Sequence, residues 1–306
     1  MNKIEFGDCR ETMRRWKEQG IKAQTCVTSP PYYGLRDYGH EGQLGLEETP
    51  EQYITAMVEV FRCVWDVLED DGTLWLNIGD SYNGSGGQGT KPNIMSKEAA
   101  EGRGGKAIKV DGVKPKDLIG IPWMMAFALR ADGWYLRQDI IWHKPNPMPE
   151  SVTDRCTKAH EYIFLMSKAQ KYYYDADAIK EQSTSKSEGI RFGGNKYGDD
   201  DDPKFATKSG NVSKEYDKAN KRSVWTVTTK PYAGAHFAVF PSDLIEPCIL
   251  AGAPVGGIVL DPFMGSGTTA QVAQNLGRQY IGCELNSDYC QLQNIRTAQQ
   301  SFGFEA

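Results

Sequence analysis

The sequence predicts an α/β protein with a mainly parallel sheet that carries helices on both faces. Short apolar runs alternate with segments of helical spacing along most of the 306 residues, as in sheets whose parallel strands are joined by helices. A glycine turn, Asp261-Pro-Phe-Met-Gly-Ser-Gly267, lies between an apolar run and a helical segment, which is the layout of a nucleotide-type cofactor site. Two polar segments, 83–116 and 179–224, interrupt the alternation and are interpreted as insertions.

The individual elements follow from the spacing of apolar residues. In the amino-terminal part we expect strands at 3–6, 23–27 and 72–78 and helices at 11–19 and 49–68. The second helix carries Pro50 at its first position, where proline is well tolerated. Further along we expect a helix at 118–131 that is interrupted at Pro122, a hairpin of strands 135–142 and 162–167 at a sheet edge, strands at 258–260 and 280–283, and helices at 268–277 and 287–300.

Composition excludes several classes of protein. Forty per cent of the residues are hydrophobic and 25% are charged, as in ordinary globular domains, and no apolar run approaches the roughly 18 residues that span a bilayer. The first residues lack a signal-peptide hydrophobic region, so we expect a cytoplasmic protein. None of the seven cysteines forms a C-x-x-C pair, and the four histidines do not cluster with them, so no zinc site is expected.

The net charge of −5 hides an uneven distribution. Seven basic and three acidic residues lie from Lys91 to Lys116, and seven basic and two acidic residues lie from Lys204 to Lys230. Such segments suit a protein that meets phosphates with local surfaces, although lysine-rich loops also occur merely for solubility. We interpret 83–116 as a mobile basic loop and 179–224 as an inserted recognition region. The catalytic domain is then predicted to comprise 1–178 and 225–306.

The glycine turn has the chemistry of a ligand site. Gly265 and Gly267 allow the backbone to approach a ligand closely and to adopt positive φ. The turn opens onto a helix amino terminus, whose free N–H groups and dipole suit a carboxylate. The next predicted strand ends in Glu284, 23 residues after Asp261, and an acid at that spacing can accept hydrogen bonds from ribose hydroxyls.

A second motif, Thr28-Ser-Pro-Pro-Tyr-Tyr33, follows an apolar run near the amino terminus. A Ser-Pro-Pro-Tyr motif that precedes such a glycine turn resembles the DNA amino-methyltransferases that use S-adenosylmethionine, in the β-type order where the catalytic motif comes first. The resemblance implies a seven-stranded, Rossmann-like methyltransferase sheet. It also implies double-stranded DNA as partner, with a cognate restriction endonuclease as a further partner, and a monomer or homodimer.

The resemblance also assigns the cofactor residues. Glu284 matches the family's ribose acid, Gly7-Asp8-Cys9 matches its adenine-binding acid, and His236 to Pro241 resembles the segment that packs on the methionine end. The S-adenosylmethionine site implied in this way comprises Asp8, Cys9, Phe240, Pro241, Asp261, Pro262, Phe263, Gly265, Gly267, Thr268, Thr269 and Glu284.

The catalytic residues follow from the chemistry of an exocyclic amino group. Its lone pair is delocalised into the base, so attack on a methyl sulfonium needs acceptors for both N–H protons. The hydroxyl of Ser29 and the carbonyl of Pro30 are such acceptors, and Pro31 stiffens the loop so that they are preorganised. Tyr32 is expected to stack on the base, which must be flipped out of the duplex to reach the site.

Within this family Ser at position 29 is typical of cytosine-N4 enzymes and Asp is typical of adenine-N6 enzymes. Cytosine N4 is therefore our first expectation for the target atom, with adenine N6 as the alternative. More distant alternatives are an RNA or protein-amide methyltransferase and a DNA-binding module without activity. Candidate DNA contacts are His143, Lys144, Lys204, Lys208, Lys221 and Arg222, while Asp80 is expected either to shape the base pocket or to cap the next turn.

Overall fold

The computed structural model describes residues 1–35, 37, 39–40, 42–84, 109–183, 217–229 and 240–298. The chain divides into two compact units, one made of Met1–Asp175 with Arg222–Ala306 and a smaller one made of Ala176–Lys221. Most of the two predicted insertions, including Lys204 and Lys208, lies outside the described residues, as do residues 236–239 of the predicted methionine-end segment.

The strands, in chain order, are β1 (Asn2–Phe6), β2 (Ala23–Thr28), β3 (Leu68–Ile78), β4 (Tyr135–His143), β5 (His160–Ser167), β6 (Glu181–Gln182), β7 (Lys218–Ala219), β8 (Val224–Thr226), β9 (Ile258–Asp261) and β10 (Gln279–Glu284). β6 and β7 pair with each other in the smaller unit. The other eight strands form one sheet in the order β1-β10-β9-β2-β3-β5-β4-β8. β5 runs antiparallel to both neighbours, and the remaining pairs are parallel.

The predicted α/β class and the predicted hairpin are therefore confirmed, but the strand count is wrong. The described sheet has eight strands instead of seven, and β8 covers the edge that the hairpin was expected to form. β8 has three residues, which is too short for an alternating pattern to reveal. Trp225 at its centre is buried, and the Trp142 ring nitrogen of β4 donates to the carbonyl of Val227 just beyond it at 2.8 Å.

Within the described residues of the larger unit, the α-helices are α1 (Cys9–Glu18), α2 (Pro50–Val67), α3 (Ile121–Ala131), α4 (Ser242–Gly252), α5 (Thr268–Asn275) and α6 (Cys290–Ala298). α1 and α3 both contact α2, whereas α4 and α6 both contact α5. This grouping into two sets is expected when helices cover the two faces of a sheet. No helix in the described part of the chain is long and apolar enough to cross a membrane.

Local chemistry sets where these helices begin. Thr49 and Gln52 form a capping box at the start of α2, and Pro50 occupies its first turn. Pro122 does not interrupt a helix as predicted, because α3 begins at Ile121 and the proline lies in the first turn. At such a position the missing N–H has no helical partner to lose.

The topology brings several strand ends to one edge of the sheet. Phe6 lies opposite Glu284 and Asp261 lies opposite Gly282, so β1, β9 and β10 end side by side. β2 ends next to β9, immediately before Ser29. Because β5 is antiparallel to β3, the amino end of β5 reaches the same edge as the carboxyl end of β3. Open α/β sheets bind ligands at this carboxyl edge.

Candidate active site

A cavity of about 540 Å³ opens at this edge, and both predicted motifs line it. Ser29 and Gly265 are distant in sequence, yet both line this cavity. The predicted residues that line the cavity are Asp8, Cys9, Ser29, Pro30, Pro31, Tyr32, Lys144, Phe240, Asp261, Pro262, Phe263, Gly265, Thr268 and Glu284. Pro241, Gly267, Thr269, His143, Lys221 and Arg222 are described but do not line it.

Asp261 is buried behind the glycine turn. Its carboxylate accepts hydrogen bonds from the hydroxyls of Thr28 and Thr269, both at 2.6 Å, and from the Phe263 N–H at 3.0 Å. Burial raises the pKa of Asp261 to about 6, although the two hydroxyls act in the opposite direction. The carboxylate thus links β2, the turn and α5 through hydrogen bonds. The sequence indicated only a ligand-binding role for Asp261 and did not indicate this structural one.

Glu284 holds the glycine turn from the other side. One carboxylate oxygen accepts the Gly265 N–H at 2.7 Å and the other accepts the Asn286 N–H at 2.8 Å. Burial raises the pKa of Glu284, while these two N–H groups lower it. A carboxylate has about four acceptor sites, so Glu284 retains capacity for hydroxyls of a ligand in the cavity that it lines.

The amino terminus of α5 completes this end of the cavity. Gly267 has φ 87° and precedes the helix, and a Cβ atom there would lie 3.3 Å from the Cα atom of Gln293. The Ser266 hydroxyl is buried, lines the cavity, and has no hydrogen-bond partner among the described residues. A buried polar group without a partner costs free energy, and a ligand that offers a polar atom beside the helix terminus removes that cost.

Asp8 has a structural role that its sequence context did not indicate. Its carboxylate caps α1 by accepting the Arg10 N–H at 2.7 Å and pairs with the Arg10 guanidinium at 2.6 Å. The Arg10 guanidinium lowers the pKa of Asp8. The carboxylate is therefore fixed and negatively charged at the cavity wall.

The Ser-Pro-Pro-Tyr loop is held by α2. The hydroxyl of the buried Tyr53 donates to the Pro31 carbonyl at 2.9 Å. Pro30 is buried and Ser29 is half-buried, and both face the cavity. The loop follows β2 without a break, so its position is set by the sheet on one side and by the Tyr53 hydroxyl on the other.

Tyr32 is held at its hydroxyl and packed along one edge of its ring. Its hydroxyl donates to Glu161 at 2.7 Å. A Cβ atom on Gly79 would lie 2.7 Å from the edge of the Tyr32 ring, so this position admits only glycine without a shift of the ring. Burial and the Glu161 carboxylate raise the pKa of Tyr32 well above its ordinary value. The predicted stacking residue is thus a rigid part of the wall.

Lys144 and Glu161 form an ion pair in the cavity wall. Their side chains are only 18% and 17% exposed, and the Lys144 ammonium lies 4.2 Å from the centre of the Trp142 ring. The sequence placed Lys144 among contacts to DNA, but its ammonium is engaged inside the cavity. His143 lies opposite Thr226 in the β4–β8 pairing, and its ring nitrogen is 3.1 Å from the Thr226 hydroxyl.

Of the two roles considered for Asp80, the structure favours capping. Its carboxylate accepts the N–H groups of Gly120 and Ile121 at 3.0 and 3.1 Å, at the start of α3. The neighbouring Asn77 is a cavity residue whose amide donates to the Tyr162 carbonyl at 3.1 Å.

Sequence reasoning missed several cavity residues. Glu161 was overlooked because only the antiparallel direction of β5 brings its first residues to the ligand edge. Ser266 lay inside the glycine motif, but nothing in the pattern indicated a buried hydroxyl without a partner. Further residues that line the cavity and belong to no predicted site segment are Leu35, His40, Gly42, Gln43, Leu44, Thr229, Leu285, Asn286 and Tyr289.

Comparison with known proteins places the chain among related sequences. The model of the N6_N4_Mtase family, described as DNA methylase, matches residues 23–295. The type II methyltransferase M.SmaI of Serratia marcescens is 49% identical over 297 residues, which cover 96% of this chain and 90% of that protein. M.Cfr9I of Citrobacter freundii, also a type II methyltransferase, is 47% identical over 92% of this chain and 83% of its own length.

Solved structures share the fold. The cytosine-N4-specific PvuII DNA methyltransferase superposes with a TM-score of 0.63 at 17% identity and covers 99% of this chain and 88% of its own. TTHA0409 of Thermus thermophilus, a putative DNA modification methylase solved in complex with S-adenosyl-L-methionine, superposes with a TM-score of 0.60 at 23% identity and covers 99% and 96% of the two chains.

Proposed function

Because this chain belongs to the N6_N4_Mtase family of DNA methylases, we propose that it transfers a methyl group from S-adenosylmethionine to the exocyclic N4 of a cytosine that is flipped out of duplex DNA. The chain is a type II DNA methyltransferase of the N4/N6 group. The observation that carries the finer proposal is the shared cavity, in which Ser29 faces the same space as Gly265 and Glu284.

The residues around the glycine turn fit S-adenosylmethionine. The Ser266 hydroxyl, which has no hydrogen-bond partner in the described part of the chain, and the amino terminus of α5 offer donors for the methionine carboxylate. Glu284 retains acceptor sites for the ribose hydroxyls, and Phe240, Phe263 and Tyr289 supply apolar and aromatic wall. When bound, the cofactor supplies an electrophilic methyl group on a sulfonium.

The Ser29 hydroxyl and the Pro30 carbonyl accept hydrogen bonds from the two N–H groups of the amino nitrogen and favour a tetrahedral nitrogen with an available lone pair. Once the nitrogen carries the methyl group, its surplus proton passes to water. Both acceptors are fixed before the base arrives, because Tyr53 holds the loop through Pro31. Rate enhancement then comes from alignment and preorganised dipoles. This part of the mechanism uses no covalent bond to the protein.

Two features support cytosine over adenine. Ser29 occupies the position where adenine-N6 members of the family typically have Asp. The Lys144 ammonium lines the same cavity, and it is a donor only. Cytosine presents two acceptors beside its amino group, N3 and O2, whereas adenine presents N1 followed by a C–H. A donor in this wall therefore matches the longer acceptor edge of cytosine.

The proposal extends to the rest of the chain. Residues 179–224 read the target sequence from the major groove, and the basic segment 83–116 contributes positive charge that meets DNA or the flipped nucleotide. The protein acts in the cytoplasm, as monomer or homodimer, beside a cognate restriction endonuclease. The acidic remainder of the chain suits this arrangement because it confines positive charge to the surfaces that meet phosphates.

Nucleoside analysis tests the target atom. Unmethylated plasmid DNA is incubated with the protein and S-adenosylmethionine that carries a labelled methyl group, then digested and separated by chromatography. We expect the label in N4-methylcytosine. Label only in N6-methyladenine would overturn the cytosine assignment, and transfer to RNA or protein but not to DNA would overturn the proposed substrate. The Ser29→Ala variant is the negative control.

A further inference from the structure

Met148 is an apolar side chain left in water at the mouth of the cavity. It is 86% exposed, the highest value among the large hydrophobic residues in the described part of the chain. It also lines the cavity that contains Ser29 and Tyr32. Exposure of an isolated apolar residue is common, but this residue also borders the cavity that is proposed to hold the base.

The segment that carries Met148 is rigidly anchored. Asn146 makes two hydrogen bonds with the backbone of Thr229, at 3.0 and 3.2 Å. The Lys144 N–H donates to the Ala159 carbonyl at 2.8 Å, which continues the β4–β5 pairing. Pro147 and Pro149 flank Met148 and restrict its backbone. The side chain is therefore presented from a fixed platform and is itself free to move.

From this placement we propose that Met148 enters the DNA base stack and fills the gap left by the flipped nucleotide. The inference rests on the proposed base-flipping function. Extrusion of a base leaves its neighbours without a stacking partner and exposes the orphan base on the other strand. Apolar side chains that enter such gaps regain part of the lost contact, as do the wedges of proteins that kink duplexes.

The chemistry of methionine suits this role. Its unbranched thioether chain adapts to an irregular space and makes favourable contacts with aromatic rings. Transfer of this side chain from water into the stack also removes exposed apolar area, which stabilises the complex. A polar side chain at the same position would lose its hydration on entry and would regain it only through hydrogen bonds to the orphan base.

The test compares paired and weakened targets. The target sequence is first mapped by sequencing DNA methylated by the wild-type protein. Two duplexes that carry this sequence are then prepared, one fully paired and one with an abasic site opposite the target base, where flipping disrupts no base pair. Single-turnover methylation and S-adenosylmethionine affinity are measured for Met148→Ala, for Met148→Leu, and for Val255→Ala, which is a matched control at a 76% exposed residue outside the cavity lining.

We expect Met148→Ala to slow methylation of the paired duplex by about tenfold, the effect of losing one good apolar contact in the flipped state. On the duplex with the abasic site the same variant should lie within about twofold of wild type. Met148→Leu should restore most of the rate, Val255→Ala should leave it unchanged, and cofactor affinity should stay the same in all three.

Two results would overturn the role of Met148. One is an unchanged rate of Met148→Ala on the paired duplex. The other is an equal loss on both duplexes, which would mean that the residue contacts the base inside the cavity or acts through the fold. Failure of the wild-type protein to methylate either duplex would instead overturn the proposed function, so the two failures are distinguishable.

Discussion

At the scale of single residues, the cavity contains carboxylates with contrasting environments. Asp8 is charged and paired with Arg10, whereas Asp261 is buried among neutral hydroxyls. Their pKa values shift in opposite directions for this reason. One carboxylate supplies a fixed negative charge at the wall, and the other joins the strands and the turn behind it.

The first prediction concerns Asp261 and pH. Its folded-state pKa of about 6 lies above the unfolded value near 3.8, so the native state binds the proton more tightly. The free energy of unfolding should therefore fall as pH rises from about 4 to about 6, by on the order of 1–3 kcal/mol. The effect is measured as the difference in the free energy of unfolding by urea between wild type and Asp261→Asn across this pH range. Groups that titrate in both proteins cancel in this difference. A constant difference between the two would contradict it.

The second prediction concerns Ser29. Ser29→Ala removes one of the two proposed acceptors and should lower the methylation rate by about 10²-fold or more. The affinity for S-adenosylmethionine should remain within about twofold, because the proposed partner of Ser29 is the base and not the cofactor. Single-turnover rates and calorimetric titration measure the two quantities. Ser151→Ala, at an exposed position outside the cavity lining, is the matched control and should behave as wild type.

The third prediction concerns Glu161. Glu161→Gln removes the charge that pairs with Lys144 but keeps an acceptor for the Tyr32 hydroxyl. We expect the methylation rate to fall by about tenfold, because the uncompensated Lys144 ammonium shifts within the base site. Thermal stability should fall as well, because the change leaves the charge of the largely buried Lys144 side chain without its partner. A fall in thermal stability without a change in rate would show that the pair serves the fold alone.

At the scale of elements, the sequence indicated most strands and helices within a few residues. Strong apolar periodicity located α2, and the glycine turn located β9 and α5. No helix was predicted at α4, which has Pro247 in its interior. The other failures occurred where an element was short or its direction mattered. β8 has three residues and depends on pairing with β4, and the site contribution of β5 depends on its antiparallel direction. Neither property is a local one.

A fourth prediction concerns the start of α5. Gly267 and Gly277 both have positive φ, at 87° and 72°. Alanine at either position should lower the free energy of unfolding by about 1–2 kcal/mol because of backbone strain. Gly267→Ala should also weaken S-adenosylmethionine binding, since residues on both sides of it line the cavity. Gly277→Ala serves as the matched control at the other end of the helix, and equal cofactor affinities would contradict the prediction.

At the scale of the whole molecule, we assign methyl transfer and recognition of the DNA sequence to two different compact units. The unit made of Met1–Asp175 with Arg222–Ala306 contains all the cavity residues, whereas Ala176–Lys221 forms a separate unit with its own strand pair. Sequence composition indicated this inserted region through its polarity and charge. Its composition does not reveal which DNA sequence is recognised, because the pairing of side chains with base edges depends on their placement in three dimensions.

The fifth prediction follows from this division. Replacement of residues 176–221 by a short glycine-serine linker should leave cooperative unfolding and S-adenosylmethionine binding within about twofold of wild type. Methylation of the mapped sequence should fall below detection, since phosphate contacts alone do not select a site. Calorimetry and labelled methyl transfer measure the two outcomes. Loss of cofactor binding in the shortened protein would contradict the independence of the larger unit.

The pairing of β1 with β10 has a consequence for synthesis on the ribosome. Asn2–Phe6 is translated hundreds of residues before Gln279–Glu284, its hydrogen-bond partner in the described sheet. The first strand therefore waits with unpaired backbone groups while the central strands assemble. Nascent chains arrested before residue 279 should expose this strand to chaperones and to proteases.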